Sequence, residues 1–163
     1  MNHLLVTYSL ECAEKGHIDP NFIMLTYGDS NSKGKIIQDN LEVGSYIFFN
    51  TRIGESRYIT AYYYVEKVLS KLKGQGNKIN NLNCSAKEDD VVVIGNREKS
   101  KILTCPLILD KKLMMKLKSF NAGEEYFASK KSELEAIKDK TLNHKILLES
   151  EKELLIKLCE KRG

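Results

Sequence analysis

The sequence contains no tryptophan and only two prolines, and its four cysteines are scattered, with no Cys-x-x-Cys pair. This spacing argues against a zinc knuckle, and without a signal peptide we expect reduced thiols and a cytoplasmic location. No stretch approaches the roughly 18 consecutive apolar residues of a membrane-spanning helix. We therefore predict a protein with no metal centre, no disulfide framework and no membrane segment.

The motifs of common hydrolases are also missing. The three histidines, His3, His17 and His144, lie far apart, and the chain has no His-Glu-x-x-His, no Gly-x-Ser-x-Gly and no phosphate-binding loop. Asp89 and Asp90 precede a strand, as the Mg²⁺-binding acids of nucleases do. That chemistry also needs a lysine two residues beyond an acid, whereas residues 91–94 are Val-Val-Val-Ile. The sequence thus predicts no catalytic residue and no cofactor.

Length and charge set the broad class of protein. With 163 residues, 42% of them hydrophobic, the chain is long enough for one domain with a substantial core. The formal net charge of +4 is compatible with a nucleic-acid partner and does not by itself identify one.

Strand-like segments fill the first two thirds of the chain, and helix-forming segments fill the last third. Strands and helices do not alternate, so a doubly wound sheet is not expected. We predict an α+β fold, in which residues 1–110 form a strongly curved mixed β-barrel and residues 111–163 form a helical extension packed on the same domain. Residues 73–83 are predicted to form a loop, and a Ser150-x-x-Glu153 capping box predicts the start of the last helix.

Aromatic residues are concentrated in residues 44–68, which predict two strands joined by a turn around Gly54. Alternation along the second strand places Ile59, Ala61, Tyr63 and Val65 on the core side. The opposite face, with Tyr62 and Tyr64, is more amphipathic. Its rings either stack on nucleobases or pack beneath the C-terminal helices, and the sequence leaves both possibilities open.

Two further segments combine groups that bind nucleotides. Thr26-Tyr27-Gly28-Asp29 predicts a turn that places a ring and a carboxylate close to a ligand, although a surface turn with no ligand has the same pattern. Residues 95–101 bring three cations and a serine after a glycine turn. They are expected either to hold a phosphate or to form a solvated hairpin tip.

These segments occur in a familiar order. Asp19-Pro20-x-Phe22 is followed by Thr26-Tyr27-Gly28-Asp29, by Leu41-x-x-Gly44 before a strand, and by Val91-Val92-Val93-Ile94-Gly95 with Ser100 and Pro106-Leu107 beyond it. Over residues 3–110 the chain resembles the nucleotide-modification-associated domains, which are related in pattern to PUA-like, EVE and ASCH domains. It departs from that pattern at Ser45, where the family has aspartate, and at Phe48-Phe49-Asn50, where the family tends to have Phe-Tyr-Ala.

The resemblance implies a PUA-like barrel that binds RNA or modified bases in DNA, within a modification or restriction system. A separately encoded nuclease or methyltransferase is then an expected partner. We predict a non-catalytic domain that admits a modified or flipped base. The predicted base-binding residues are Tyr27, Asp29, Tyr46, Asn50 and Tyr62, and the predicted backbone-binding residues are Arg52, Arg57, Arg97, Lys99 and Ser100.

Two alternatives from other classes remain open at this point. One is an enzyme or sensor for a free, modified nucleotide, which predicts binding with little salt dependence. The other is a protein-interaction module of a defence system, in which the helical tail docks a partner.

Overall fold

A computed structural model describes residues 1–11 and 18–162, and within them the protein is α+β, with seven β-strands in one mixed sheet and six α-helices. The strands are β1 (His3–Thr7), β2 (Thr26–Asp29), β3 (Tyr46–Ile53), β4 (Ser56–Ser70), β5 (Val91–Gly95), β6 (Lys101–Ile108) and β7 (Lys145–Leu147). The helices are α1 (Asn31–Asn40), α2 (Gly76–Asn80), α3 (Lys111–Lys116), α4 (Glu124–Ala128), α5 (Glu133–Lys140) and α6 (Glu149–Glu160). None of these helices is long and apolar enough to cross a membrane.

The sheet has the strand order β2-β5-β4-β3-β1-β7, with β6 pairing beside β4. Among the strands of the described residues, β1 and β3 are the one parallel pair, and the other neighbours are antiparallel. Strand β4 is 15 residues long and pairs with three partners, β3, β5 and β6. A long strand that exchanges partners along its length allows one sheet to bend sharply without breaking its hydrogen-bond ladder.

The predicted mixed sheet is confirmed, but the prediction of a closed barrel is wrong for the described residues. The two ends of the sheet, β2 and β7, do not pair with each other. They are only four and three residues long, which leaves little backbone for a closing ladder. The two ends instead meet through side chains, because Asp29 at the end of β2 contacts His144 just before β7. We call the group formed by Tyr27, Asp29 and His144 the seam.

Each face of the sheet carries its own hydrophobic core. The first core lies beneath α1 and β2 and contains Phe49, Tyr63 and Ile37. The second contains Phe48 and Tyr62, packed against residues of α3, α5 and α6. Tyr63 is the buried aromatic of the first core, as predicted, with no exposed surface.

Ile59 lies on the opposite face of the sheet from the one that was predicted. It belongs to the core of Phe48 and Tyr62, whereas Ala61, Tyr63 and Val65 belong to the first core. The pairing of β3 with β4 shifts register here, so that Asn50 pairs with Ile59 and Phe49 with Ala61. The extra residue in β4 is a β-bulge, and a bulge reverses the face that the following side chains occupy.

Three local predictions also differ from the structure. Thr26–Asp29 is a strand and not a turn, and the predicted loop at residues 73–83 contains α2, whose Ile79 is completely buried. Helix α6 begins at Glu149, one residue before Ser150, the predicted capping residue. The hydrogen bond that caps it is accepted by the Glu151 carboxylate from the backbone N–H of Leu148, at 2.9 Å. In the C-terminal third, β7 pairs with β1, so the sheet extends beyond residue 110.

Candidate functional site

A cavity of about 500 Å³ lies between two segments of the chain. One wall is formed by residues 7–11, which include the end of β1, and the other by the β3–β4 hairpin. Its polar lining residues are Thr7, Tyr8, Ser9, Glu11, Thr51, Arg52 and Arg57. This volume is within the range of cavities that bind small molecules and cofactors.

Arg52 and Arg57 are brought side by side by the hairpin turn. They are directly paired in the β3–β4 register, and between them Gly54 adopts a left-handed conformation with φ of 64°. Glycine takes this conformation without steric cost, which favours a tight turn at this position. Arg52 donates from Nε to the carbonyl of Gly54 at 2.8 Å. None of the ion pairs among the described residues involves either arginine.

Arg57 is the more constrained of the two arginines. Burial, together with the nearby charge of Arg52, lowers the pKa of its guanidinium. Its Nη1 donates to Oδ1 of Asn50 at 3.3 Å, while its buried Nε has no hydrogen-bond partner within the described part of the chain. An unsatisfied buried donor costs about 1–3 kcal/mol, and more when it is charged. An anion in the cavity would reduce the repulsion between the arginines.

Asn50 fixes Arg57 from behind the cavity. It is completely buried, and its Nδ2 donates to the carbonyl of Val6 at 2.9 Å and to Oγ1 of Thr7 at 3.0 Å. Both amide hydrogens are therefore used, which leaves the side-chain oxygen facing Arg57. Thr7 in turn donates from Oγ1 to the carbonyl of Thr141 at 2.8 Å. Asn50 thus acts on the cavity through Arg57 and is not itself accessible to a ligand.

The opposite wall is held by hydroxyl groups and rings. The hydroxyl of Tyr8 lies 2.8 Å from Oγ1 of Thr60, and Thr51 donates from Oγ1 to the carbonyl of Tyr8 at 2.8 Å. The Tyr8 ring meets Phe22 edge to face, with centroids 5.6 Å apart. Burial raises the pKa of Tyr8, so its hydroxyl stays protonated at neutral pH.

The seam contains two of the predicted base-binding residues. Oδ2 of Asp29 accepts from the Tyr27 hydroxyl at 2.7 Å and lies 2.8 Å from Nε2 of His144. Burial alone would raise the pKa of Asp29, but the hydrogen bonds to His144 and Tyr27 outweigh it and lower that pKa. The ring of Tyr27 is only 5% exposed and packs edge-on against Phe49. In this position Tyr27 is buried where the two ends of the sheet meet and offers no free face for stacking.

Gly28 of β2 lies between two further carboxyl groups. Both oxygens of Asp19 accept from the backbone N–H of Gly28, each at 3.1 Å. On the other side, a Cβ at position 28 would lie 2.5 Å from Oδ2 of Asp89, which is too close for any side chain. Burial, with additional contributions from Asp89 and Asp29, raises the pKa of Asp19 to about 8. Asp19 is therefore mostly protonated at neutral pH.

The predicted Tyr46 and Tyr62 pair lies in the other core. Their ring centroids are 5.8 Å apart, Tyr62 is 7% exposed, and Nζ of Lys152 from α6 lies 5.3 Å from the centre of the Tyr46 ring. These rings pack beneath the C-terminal helix. Of the two possibilities that the sequence left open, packing accounts for their positions.

The hairpin between β5 and β6 carries the remaining predicted residues. Arg97 and Lys99 are exposed, and Nζ of Lys99 lies 4.6 Å from the centre of the Tyr64 ring. Oγ of Ser100 accepts from the backbone N–H of Tyr64 at 3.0 Å, so this hydroxyl oxygen already has a structural partner.

The structure therefore brings together only some of the ten predicted residues. Arg52, Arg57 and the underlying Asn50 form one group at the cavity, and Tyr27 and Asp29 form another at the seam. Sequence reasoning missed Tyr8, Glu11 and His144 as members of these groups. The run of polar residues directly after the first strand could have indicated Tyr8 and Glu11 as site residues. Nothing near His144 in the sequence indicates that Asp29 is its partner.

In comparisons with known proteins, the chain matches no protein-family model and no curated protein sequence.

Proposed function

We propose that this chain is a nucleic-acid-binding domain of PUA-like type, which holds a phosphate at Arg52 and Arg57 and admits an unpaired or flipped base, including a modified base, into the adjacent cavity. The observation that carries this proposal is the arginine pair, whose members lie together in a cavity without a carboxylate partner among the described residues.

Two like charges at one site are unfavourable in the absence of a ligand. Burial makes the arrangement more unfavourable still for Arg57, because the guanidinium has lost water and its Nε has gained no acceptor. Residues held at such a cost are typical of binding sites. A phosphate offers the oxygen acceptors and negative charge that two guanidinium groups require.

The other features of the cavity suit a nucleotide. Tyr8 and Leu10 supply apolar surface, and Ser9 and Thr51 supply hydroxyl groups, on walls that hydrogen bonds hold in place. The mixed sheet, with β4 shared by three partners, supports the PUA-like part of the proposal. In this proposal the nucleic acid is bound and not chemically changed.

The test is binding of fluorescently labelled single-stranded DNA and RNA, with and without modified bases, measured by anisotropy at two salt concentrations. Arg57→Gln should weaken binding at least tenfold, because a charged hydrogen bond is worth about 1.5–3 kcal/mol. Arg97→Gln is the matched control, since it removes the same charge from an exposed hairpin away from the cavity. We expect a smaller effect from the control.

Two results would contradict the proposal. Equal losses from Arg57→Gln and Arg97→Gln would show that only overall charge matters. Tight binding of a free mononucleotide, with little salt dependence and no binding to oligonucleotides, would instead favour a nucleotide sensor, because phosphate contacts along a strand make affinity fall steeply with salt.

A further inference from the structure

The cavity contains opposite charges that do not pair. Glu11 lines one wall and Arg52 and Arg57 line the other, yet no ion pair joins Glu11 to either arginine. Glu11 is exposed, and its backbone N–H donates to Oγ of Ser9 at 3.2 Å. About 500 Å³ of space is available beside these three charged groups.

A ligand that satisfies both walls needs two different ends. Guanidinium groups only donate hydrogen bonds, and a carboxylate only accepts them. The ligand must therefore present an anion to the arginines and hydrogen-bond donors to Glu11. A nucleotide has this arrangement if the edge of its base carries donors.

The common bases differ in how well their edges match a carboxylate. Guanine has two adjacent donors, N1–H and the 2-amino group, which can form two parallel hydrogen bonds to the two carboxylate oxygens. In adenine and cytosine the amino group is beside an unprotonated ring nitrogen, which would repel the second oxygen. In uracil and thymine the single N–H lies between two carbonyl oxygens, which would repel the carboxylate on both sides.

We propose, on the basis of the proposed function, that the base admitted to the cavity is guanine or a modified guanine that keeps its N1–H and 2-amino groups, with Glu11 as the acceptor. Substituents on the five-membered ring of the base lie on the opposite edge from these donors. Modified guanines that carry such substituents therefore keep the contact.

The experiment uses three labelled single strands that are identical except at one central position, which is guanosine, inosine or adenosine. Inosine is the matched probe, because it keeps N1–H and lacks only the 2-amino group. The wild-type protein should bind the guanosine strand about tenfold to a hundredfold more tightly than the inosine strand, the expected effect of one hydrogen bond to a charged group.

Glu11→Gln separates this contact from the arginine pair. Glutamine offers one acceptor in place of two and carries no charge, and Glu11 is exposed, so the fold should be unaffected. The variant should weaken binding of the guanosine strand about tenfold and remove its advantage over inosine. It should slightly strengthen binding of the adenosine strand, because a repulsive negative charge is gone.

Equal binding of guanosine and inosine strands by the wild type, or an unchanged preference in Glu11→Gln, would overturn this inference and leave the proposed function standing, provided that Arg57→Gln weakens binding of all three strands. If none of the three strands binds in a manner that depends on Arg57, the proposed function fails together with the inference.

Discussion

The protonated carboxyl beneath Gly28 should make stability depend on pH in an unusual direction. Burial is the largest cause that raises the pKa of Asp19, from its ordinary 3.8 to about 8. Between these two values the folded protein binds a proton that the unfolded chain has released. The free energy of unfolding should therefore fall as the pH rises from about 4 to about 8, and the contribution of Asp19 should change little above that.

The size of this effect follows from the difference between the two pKa values. A difference of one pKa unit between the folded and unfolded states corresponds to about 1.4 kcal/mol of stability. The difference between 3.8 and about 8 therefore sets an upper bound of about 6 kcal/mol on the contribution of Asp19. Asp19 keeps some contact with solvent and is hydrogen-bonded to Asp89. Rearrangement of these two side chains would make ionisation of Asp19 less costly than the upper bound. We therefore expect about 2–3 kcal/mol between pH 5 and pH 8.

Asp19→Asn tests this reasoning. The side-chain oxygen can still accept from the backbone N–H of Gly28, and the amide cannot ionise. Urea unfolding followed by circular dichroism between pH 5 and pH 9 should give a stability curve for the variant that lacks the fall seen in the wild type. Asp39→Asn, which changes an exposed carboxyl on α1, is the control and should leave the fall in place. Parallel curves for the wild type and Asp19→Asn would refute the argument.

Two further stability predictions concern β2 and the seam. Gly28→Ala should destabilise the protein by about 2 kcal/mol or more in urea unfolding, because its Cβ would overlap the Asp89 side chain, whereas Gly76→Ala, whose added Cβ would meet only Cγ of Lys71 at 3.9 Å, should have little effect. Similar losses in both variants would contradict close packing at Gly28. His144→Phe should cost about 2–3 kcal/mol at pH 7, because Asp29 loses its closest partner across the sheet ends. Because the pKa of Asp29 is lowered in the fold, this cost should shrink as the pH falls and Asp29 becomes protonated, and a cost independent of pH would contradict the role of the seam.

Local patterns allowed much of the fold to be predicted. The strand expected directly after Asp89 and Asp90 is present as β5, which lies buried between β2 and β4. The change from strands to helices after residue 110 is also largely correct, although β7 interrupts the helices. These features depend on composition and periodicity over a few residues, which a sequence displays directly.

The errors occurred where distant residues decide the local structure. Gly28 resembles a turn glycine, but it lies in a strand paired with β5, and a residue without a side chain is required there by the approach of Asp89, which is 61 positions away in the chain. The five-residue helix α2 has little helical tendency of its own and is stabilised by the burial of Ile79. Alternation in β4 failed at one inserted residue, which moved Ile59 to the other core.

The candidate site shows the same division. The register of a short hairpin places Arg52 beside Arg57, so their proximity was within reach of the sequence. The partner of Asp29 was not, because His144 is brought to it only by the path of the C-terminal segment back to β1. Stacking by Tyr46 and Tyr62 was a reasonable expectation for an amphipathic face, and the helices that cover these rings could be recognised only after folding.

The pairing of β1 with β7 has a consequence for how the molecule is made. On the ribosome, the N-terminal strand emerges long before Ile146, which pairs with Leu4. Until that partner is released, one side of β1 has no strand beside it and the apolar surface around Phe48 lacks part of its cover. The open edge of β1 is therefore available for pairing with other chains until the residues of β7 have left the ribosome and occupied it.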